Sequence, residues 1–112
     1  MDVSNKLAVI ETVANIGEHV ANIASSVRAK RAFSKGDAIK IEVYLKNLQK
    51  QCQIRAHAEL VRTASDEMNK TLQHMKTQSD SGQLQTWDAM LLEIQFNGLK
   101  EILKSNQSNW NH

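Results

Sequence analysis

The residues of this chain that are best suited to chemistry are few and far apart. Glu67 and His74 lie seven positions apart on one face of a predicted helix, and two helical turns separate them too widely to hold a metal ion alone. His57 and Glu59 lie in a basic stretch, where such side chains are commonly solvated or hydrogen-bonded. Cys52 shares an apolar helix face, which suits a small buried hydrophobe better than a reactive thiol.

The sequence motifs of the common enzyme classes are absent. The four glycines are isolated, so there is no glycine-rich phosphate-binding loop, and no His-Glu-x-x-His motif occurs. The Glu-x-x-His motif of di-iron bundles would need glutamate at the positions of Ile16, Ile54 and Thr71. We therefore predict a non-enzymatic protein with no catalytic residues, no cofactor, no metal ion and no small-molecule substrate.

The composition favours one small helical domain. Of the 112 residues, 41% are apolar but only 4% are aromatic, and proline is absent. Because aromatic side chains usually supply much of a core, this chain suits a narrow bundle with an aliphatic core. A single cysteine excludes a disulfide within the chain and favours a cytoplasmic location. Glu11, Glu18 and His19 interrupt the first apolar stretch, so we predict neither a signal peptide nor a membrane span.

The net charge of +2 conceals a strongly basic middle. Residues 28–62 carry nine basic and three acidic side chains, a net charge of +6, whereas the segments before and after them each carry −2. Such a block is typical of contacts with phosphate or with acidic surfaces. Phe33 and Tyr44 are its only aromatic residues, too few for stacking on bases, so nucleic-acid binding is the alternative function rather than the first. The candidate basic surface comprises Arg28, Lys30, Arg31, Lys35, Lys46, Lys50, Arg55 and Arg62.

The first predicted helix, over residues 4–31, has the clearest periodicity. Val13, Val20 and Val27 recur every seven residues, and Ile16 and Ile23 lie between them. This pattern fits either a helix packed within a bundle or an intermolecular coiled coil. Tryptophan, phenylalanine and lysine are absent between residues 7 and 27, so we do not expect this helix to lie on a membrane.

The second predicted helix is long. It follows a turn in which Gly36 favours a left-handed conformation and Ser34 or Asp37 is suited to cap the next helix. No glycine or proline interrupts residues 37–77, so we predict a continuous helix. Its apolar stripe changes face near residue 55, which predicts that the helix packs against two different neighbours. The alternative is a break near residue 55, which would give four helices.

The last helix is predicted over residues 84–104, after a polar turn at residues 78–83. Its apolar positions cover more than half of the circumference, more than a surface helix normally shows. We therefore expect a partner or a second copy of the chain to cover part of this helix. Residues 105–112 are polar and are predicted to form a flexible tail.

These patterns predict an all-α protein, an elongated three-helix bundle with one long central helix, in a single domain over residues 1–104. We predict a protein–protein interaction module, such as an adaptor, an inhibitor or a structural subunit, that self-associates through its first and last helices. The alternative is a nucleic-acid-associated regulator that uses residues 28–62. The candidate interface residues are Val13, Ile16, Val20, Ile23, Val27, Trp87, Leu91, Leu92, Phe96, Leu99 and Leu103.

Overall fold

The computed structural model describes the backbone of residues 3–52 and 55–110 and the side chains of residues 5–52 and 57–104. The described residues form helices joined by short connections, without any strand, so the prediction of an all-α fold is confirmed. The last helix extends beyond residue 104, and the prediction of a flexible tail stays a prediction. The helices are α1 (Val3–Arg28), α2 (Lys35–Gln51), α3 (Arg55–Asp80) and α4 (Thr86–Trp110).

The four helices run alternately up and down, and α4 closes the bundle against α1. Asn5 near the start of α1 lies beside the end of α2, where its side-chain amide donates to the Gln51 carbonyl at 3.2 Å. At the opposite end, Lys35 of α2 pairs with Asp80 of α3 at 3.4 Å. Within the described chain, the diagonal pairs α1/α3 and α2/α4 make no close backbone approach. The result is an elongated bundle of 49 × 20 × 18 Å.

The prediction of three helices is wrong, because the central helix is not continuous. α2 ends at Gln51 and α3 begins at Arg55, and the two helices run in opposite directions. A single helix over residues 37–77 would be about 60 Å long, longer than the bundle, and neither α1 nor α4 could cover it. Folding back instead places Leu45 of the first apolar stripe and Met68 of the second in one core. The alternative of four helices therefore holds.

Each of the two helical hairpins, α1–α2 and α3–α4, turns after a residue in the left-handed conformation. This residue is Gly82 in the second hairpin, with φ of 72°, but Lys30 in the first, with φ of 56°. In both, the next residue's N–H donates to the carbonyl five residues earlier, at 2.8 Å in the first hairpin and 2.7 Å in the second. The prediction that Gly36 adopts the left-handed conformation is wrong, since Gly36 lies in the first turn of α2.

Replacing Lys30 with glycine is expected to stabilise the fold. The left-handed conformation costs a residue with a Cβ about 1–2 kcal/mol, and glycine avoids this cost but loses more backbone freedom on folding. We therefore expect Lys30→Gly to raise the free energy of unfolding by about 0.5–1 kcal/mol in urea denaturation. The opposite change at the equivalent position, Gly82→Ala, should lower it. A Lys30→Gly variant less stable than wild type would contradict the assigned turn.

The core runs along the bundle axis and is mostly aliphatic. Each helix contributes one buried stripe, and Ile16, Leu45, Met68 and Leu92 are fully buried examples from the four helices. α1 and α4 approach closely at Gly17, where an added Cβ would lie 3.0 Å from the Phe96 ring of α4. The small residue at position 17 is therefore what lets that ring lie against the α1 backbone.

Candidate interaction surfaces

Among the described side chains, five of the eight exposed large apolar ones lie on α4 and on the start of α1. On α4, Trp87, Met90 and Ile94 are spaced by three and four residues, so they form one stripe opposite the buried face of the helix. Trp87 is 64% exposed and Ile94 is 57% exposed. Leu7 and Ile10 are the exposed large apolar residues among the described side chains of α1. We call these five side chains the α1/α4 apolar face.

Two shallow depressions lie between α1 and α4. Ile10 and Lys100 border a depression of about 180 Å³. Nearer the middle of the bundle, Ala21 and Asn97 border a second one of about 190 Å³, beside Phe96. Exposed apolar residues grouped on neighbouring helices mark contact sites more often than scattered single residues do.

Most of the predicted interface residues lie within the chain's own core, which corrects their assignment. Their side chains pack inside the bundle and are not available to a second molecule in this fold. Val13 and Leu91 are half-buried, and Trp87 is the one that is well exposed. The buried ones are Ile16, Val20, Ile23, Val27, Leu92, Phe96, Leu99 and Leu103.

The described residues of the predicted basic surface are exposed but do not form one surface. Two of them are engaged in ion pairs, Arg28 with Glu93 of α4 and Lys35 with Asp80 of α3. The side chain of Arg55 lies outside the described residues. The others lie in two groups. Lys30 and Arg31 lie in the turn between α1 and α2, at the end of the bundle that also holds the α3–α4 turn and that we call the hairpin end. Lys46 and Lys50 lie on α2, and Arg62 lies on α3.

The break between α2 and α3 brings Lys46 and Arg62 toward one groove. Ile39 and Lys76 line a depression of about 130 Å³ between these two helices. Lys46 lies one heptad after Ile39, and Arg62 lies two heptads before Lys76, so both continue the same side of their helices. On the continuous helix that we predicted, they would point in different directions.

The residues that the sequence singles out for chemistry do not come together. His74 pairs with Asp88 of α4, with 3.3 Å between Nε2 and Oδ1, and Glu67 is exposed. His57 is half-buried, and Cys52 is buried at the end of α2. Among the side chains that the structure describes, no three His, Cys, Asp or Glu residues form a group able to hold a metal ion. None of the helices, over the same described residues, is long and apolar enough to cross a membrane.

A polar network joins α1 to the start of α2. Ser34 caps α2, since the Asp37 N–H donates to its hydroxyl at 3.3 Å and the hydroxyl donates to the Asp37 carboxylate at 2.5 Å. Asp37 also bonds His19 of α1, with 2.7 Å between Oδ1 and Nδ1. The Ser34 cap confirms one of the two predicted caps. The His19 contact has no local sequence signal, because only the folded hairpin brings these residues together.

The second hairpin repeats this arrangement. Asp88 near the start of α4 accepts from the Gln85 N–H at 3.0 Å and also pairs with His74 of α3. In each hairpin, an aspartate in the first turn of the second helix therefore joins that turn to a histidine of the preceding helix. Acidic side chains are favourable at this end of a helix because of its dipole.

The Asp37 carboxyl has a lowered pKa. Burial raises the pKa, but hydrogen bonds from Ser34, His19 and Asn22, together with the charge of His19, outweigh the effect of burial. The folded state therefore binds this proton less readily than the unfolded state. Asp37 stabilises the fold at pH values above its ordinary pKa of 3.8, and this contribution is lost as the pH falls through the lower pKa of the folded state.

Replacing Asp37 with asparagine is expected to reveal this pH dependence. We expect Asp37→Asn to lower the free energy of unfolding by about 1 kcal/mol at neutral pH, because it weakens a charged hydrogen-bonded group at a helix N-terminus. The difference between wild type and variant should shrink as the pH falls below 3.8 in a series of urea denaturations. A difference that stays constant down to the lowest pH at which the protein folds would contradict this role.

Comparison with known proteins finds no match for this chain among protein families, curated proteins or solved structures.

Proposed function

We propose that this chain is a non-enzymatic protein–protein interaction module that self-associates through the outer surface of α1 and α4. One observation carries the proposal: five of the eight exposed large apolar side chains that the structure describes lie on these two adjacent helices. Burying apolar surface contributes about 25 cal/mol per Å² removed from water. The five are Leu7, Ile10, Trp87, Met90 and Ile94.

The size of this surface suits a stable dimer. The bundle is 49 Å long and about 20 Å wide, so one broad side offers more than the roughly 800 Å² that each partner buries in a standard interface. The outer side of α1 also carries the small exposed residues Ala14 and Ala21, which allow another helix to approach closely. Charged residues are few along the α4 stripe, as they are at the centre of most interfaces.

The α4 stripe is also suited to a second copy of itself. In an antiparallel pair of α4 helices centred on Ile94, Met90 of one copy lies opposite Gly98 of the other, four residues on the far side of the centre. A Cβ added at Gly98 would have no neighbour within 4 Å, so this position offers open space for a large side chain. The same pairing sets Trp87 opposite Glu101, whose carboxylate can accept from an indole N–H.

A matched pair of isoleucine variants tests this proposal. Ile94 is 57% exposed on α4 and Ile39 is 60% exposed on α2, so a glutamate at either position leaves the core intact. We expect wild type and Ile39→Glu to dimerise at about tens of micromolar, measured by light scattering. We expect Ile94→Glu to weaken dimerisation by at least about ten-fold, because a charge at the centre of an apolar interface loses its hydration.

The Ile39→Glu control distinguishes dimerisation through one specific face from non-specific hydrophobic association. If the two glutamate variants weaken association equally, the α1/α4 apolar face is not the interface. If wild type is monomeric at hundreds of micromolar, self-association is excluded. Circular dichroism of both variants should match wild type, because both side chains are exposed.

A second candidate function is nucleic-acid binding along the groove between α2 and α3. The observation that favours it is the placement of Lys46 and Arg62 toward one groove. Phe33 is buried and Tyr44 stacks on His19, so stacking on bases is not part of this function. Its test is the salt dependence of binding to a short DNA duplex. We expect affinity to fall steeply as salt rises, because phosphate contacts release counterions, and a flat dependence would remove this candidate.

A further inference from the structure

A second feature, independent of the α1/α4 apolar face, is a cleft at the hairpin end of the bundle. It has a volume of about 460 Å³ and lies between the α1–α2 turn and the α3–α4 turn. This volume is within the range of small-molecule sites, roughly 300–1,000 Å³. Lys30 and Arg31 line it from the first turn, and Ser79, Gln85 and Thr86 line it from the second.

The charged side chains that line the cleft are all cationic. Its lining includes two cationic side chains and, among the described residues, no carboxylate. Three carboxylates of the surrounding helices are engaged elsewhere. Asp80 pairs with Lys35, Glu93 pairs with Arg28, and Asp88 pairs with His74. Lys30 and Arg31 therefore give this end of the bundle a positive potential that its acidic residues do not cancel within the cleft.

The uncharged lining supplies hydrogen-bond donors opposite these cations. Ser79 and Thr86 carry hydroxyl groups and Gln85 carries an amide, and all three can donate to an anionic oxygen. Val27 and Leu84 add an apolar floor that lowers the local dielectric and strengthens charge contacts. Two cations, several neutral donors and no carboxylate match the chemistry of a phosphate group.

We propose that this cleft binds a phosphorylated small molecule, with Lys30 and Arg31 as the charged contacts to its phosphate oxygens. Arg31 is suited to bidentate contact with two oxygens of one phosphate, and Lys30 acts as a point charge. Its place between two turns at one end of the bundle favours a compact ligand over a long nucleic acid, which would lie along the groove between α2 and α3 instead.

The first part of the test uses pyrophosphate as the probe and backbone amide NMR shifts of the uniformly labelled protein as the readout. We expect saturable shifts confined to residues 29–35 and 79–88, with a dissociation constant of about 0.1–1 mM. The absence of saturation at about 10 mM pyrophosphate overturns the proposal, as do shifts that lie mainly on α2 and α3.

The second part uses variants that separate binding from folding. Lys30→Gly relieves the left-handed lysine, so any loss of affinity in this variant does not come from a destabilised fold. We expect Lys30→Gly and Arg31→Gln each to weaken pyrophosphate binding by about ten-fold, Lys30→Arg to retain it, and the control Lys46→Gln to match wild type. Affinity unchanged in both Lys30→Gly and Arg31→Gln overturns the proposal.

The third part of the test measures whether pyrophosphate competes with a short DNA duplex for the protein. We expect pyrophosphate to displace no more than a small part of any bound duplex, because the duplex would contact the groove between α2 and α3. If instead the Lys30→Gly and Lys46→Gln variants weaken pyrophosphate binding equally, the anion is held by general positive charge and the cleft is not its site.

Discussion

Replacing Ile16 with alanine is expected to lower the free energy of unfolding by about 3 kcal/mol. Ile16 is fully buried at the middle of the α1 heptad seam, the valines and isoleucines that recur along residues 13–27. Truncating it leaves a cavity that the packed helices fill only in part. A loss of this size is a large share of the roughly 5–15 kcal/mol by which small domains are stable. Urea denaturation followed by circular dichroism measures it.

Two controls are needed to interpret this loss of stability: a variant at Ile10, and the same measurement at several protein concentrations. Ile10 lies on the same helix but is 43% exposed, so Ile10→Ala should cost less than about 1 kcal/mol. The large loss in Ile16→Ala should be the same at low and at high protein concentration, because the seam packs within one chain. A loss that grows as the protein is diluted would show that the seam packs between chains, as in an intermolecular coiled coil.

Replacing Gly17 with leucine is the second substitution with a large expected effect. A Cβ at this position already lies 3.0 Å from Phe96 Cζ and 3.1 Å from Cε2, and the rest of a leucine side chain would enter the space that the ring fills. We expect Gly17→Leu to lower the free energy of unfolding by about 2–3 kcal/mol, because it separates α1 from α4 or forces the Phe96 ring from its position. Thermal and urea unfolding measure this loss.

Gly98 supplies the control for that substitution. It lies on the outer side of α4, where an added Cβ has no neighbour within 4 Å. We expect Gly98→Ala to raise the free energy of unfolding by about 0.5–1 kcal/mol, since alanine is the better helix former and meets no obstacle. A Gly17→Leu variant as stable as Gly98→Ala would contradict the close approach of α1 and α4.

The helical character of the chain could be predicted from its sequence, but the end of α2 could not be assigned with the same rules. Residues 49–57 contain no glycine or proline, so local propensity favours a continuous helix. The signal of the break was the interval of six positions between Leu48 and Ile54, which moves the apolar stripe to another face. This shift is also compatible with a continuous helix that packs against two different neighbours. It indicates a helix end only once both apolar stripes are required to lie in one core.

The turn between α1 and α2 shows how tertiary structure overrides residue preference. Glycine is the usual left-handed residue at a helix end, and Gly36 was the available glycine. The structure instead places Lys30 there and takes Gly36 into α2, because Ser34 caps that helix and fixes where it begins. The position of a cap therefore decided the turn more strongly than the position of a glycine.

The candidate surface was only partly predictable for a related reason. The wide apolar circumference of the last helix showed that it has more apolar surface than one bundle covers. It did not show which side the bundle covers, because Leu92 and Ile94 are equally apolar in sequence. The structure buries Leu92 and exposes Ile94, and in α1 it buries the heptad seam that was the first candidate for association.

Backbone amide NMR shifts on dilution test whether the α1/α4 apolar face is the site of self-association. From about millimolar to about ten micromolar protein, we expect dimer dissociation to shift amides near Ile10, Met90, Ile94 and Gly98 while those of α2 and α3 stay constant. Shifts confined to α2 and α3, or spectra that do not change with concentration, would contradict the proposal that a second copy of the chain binds this face.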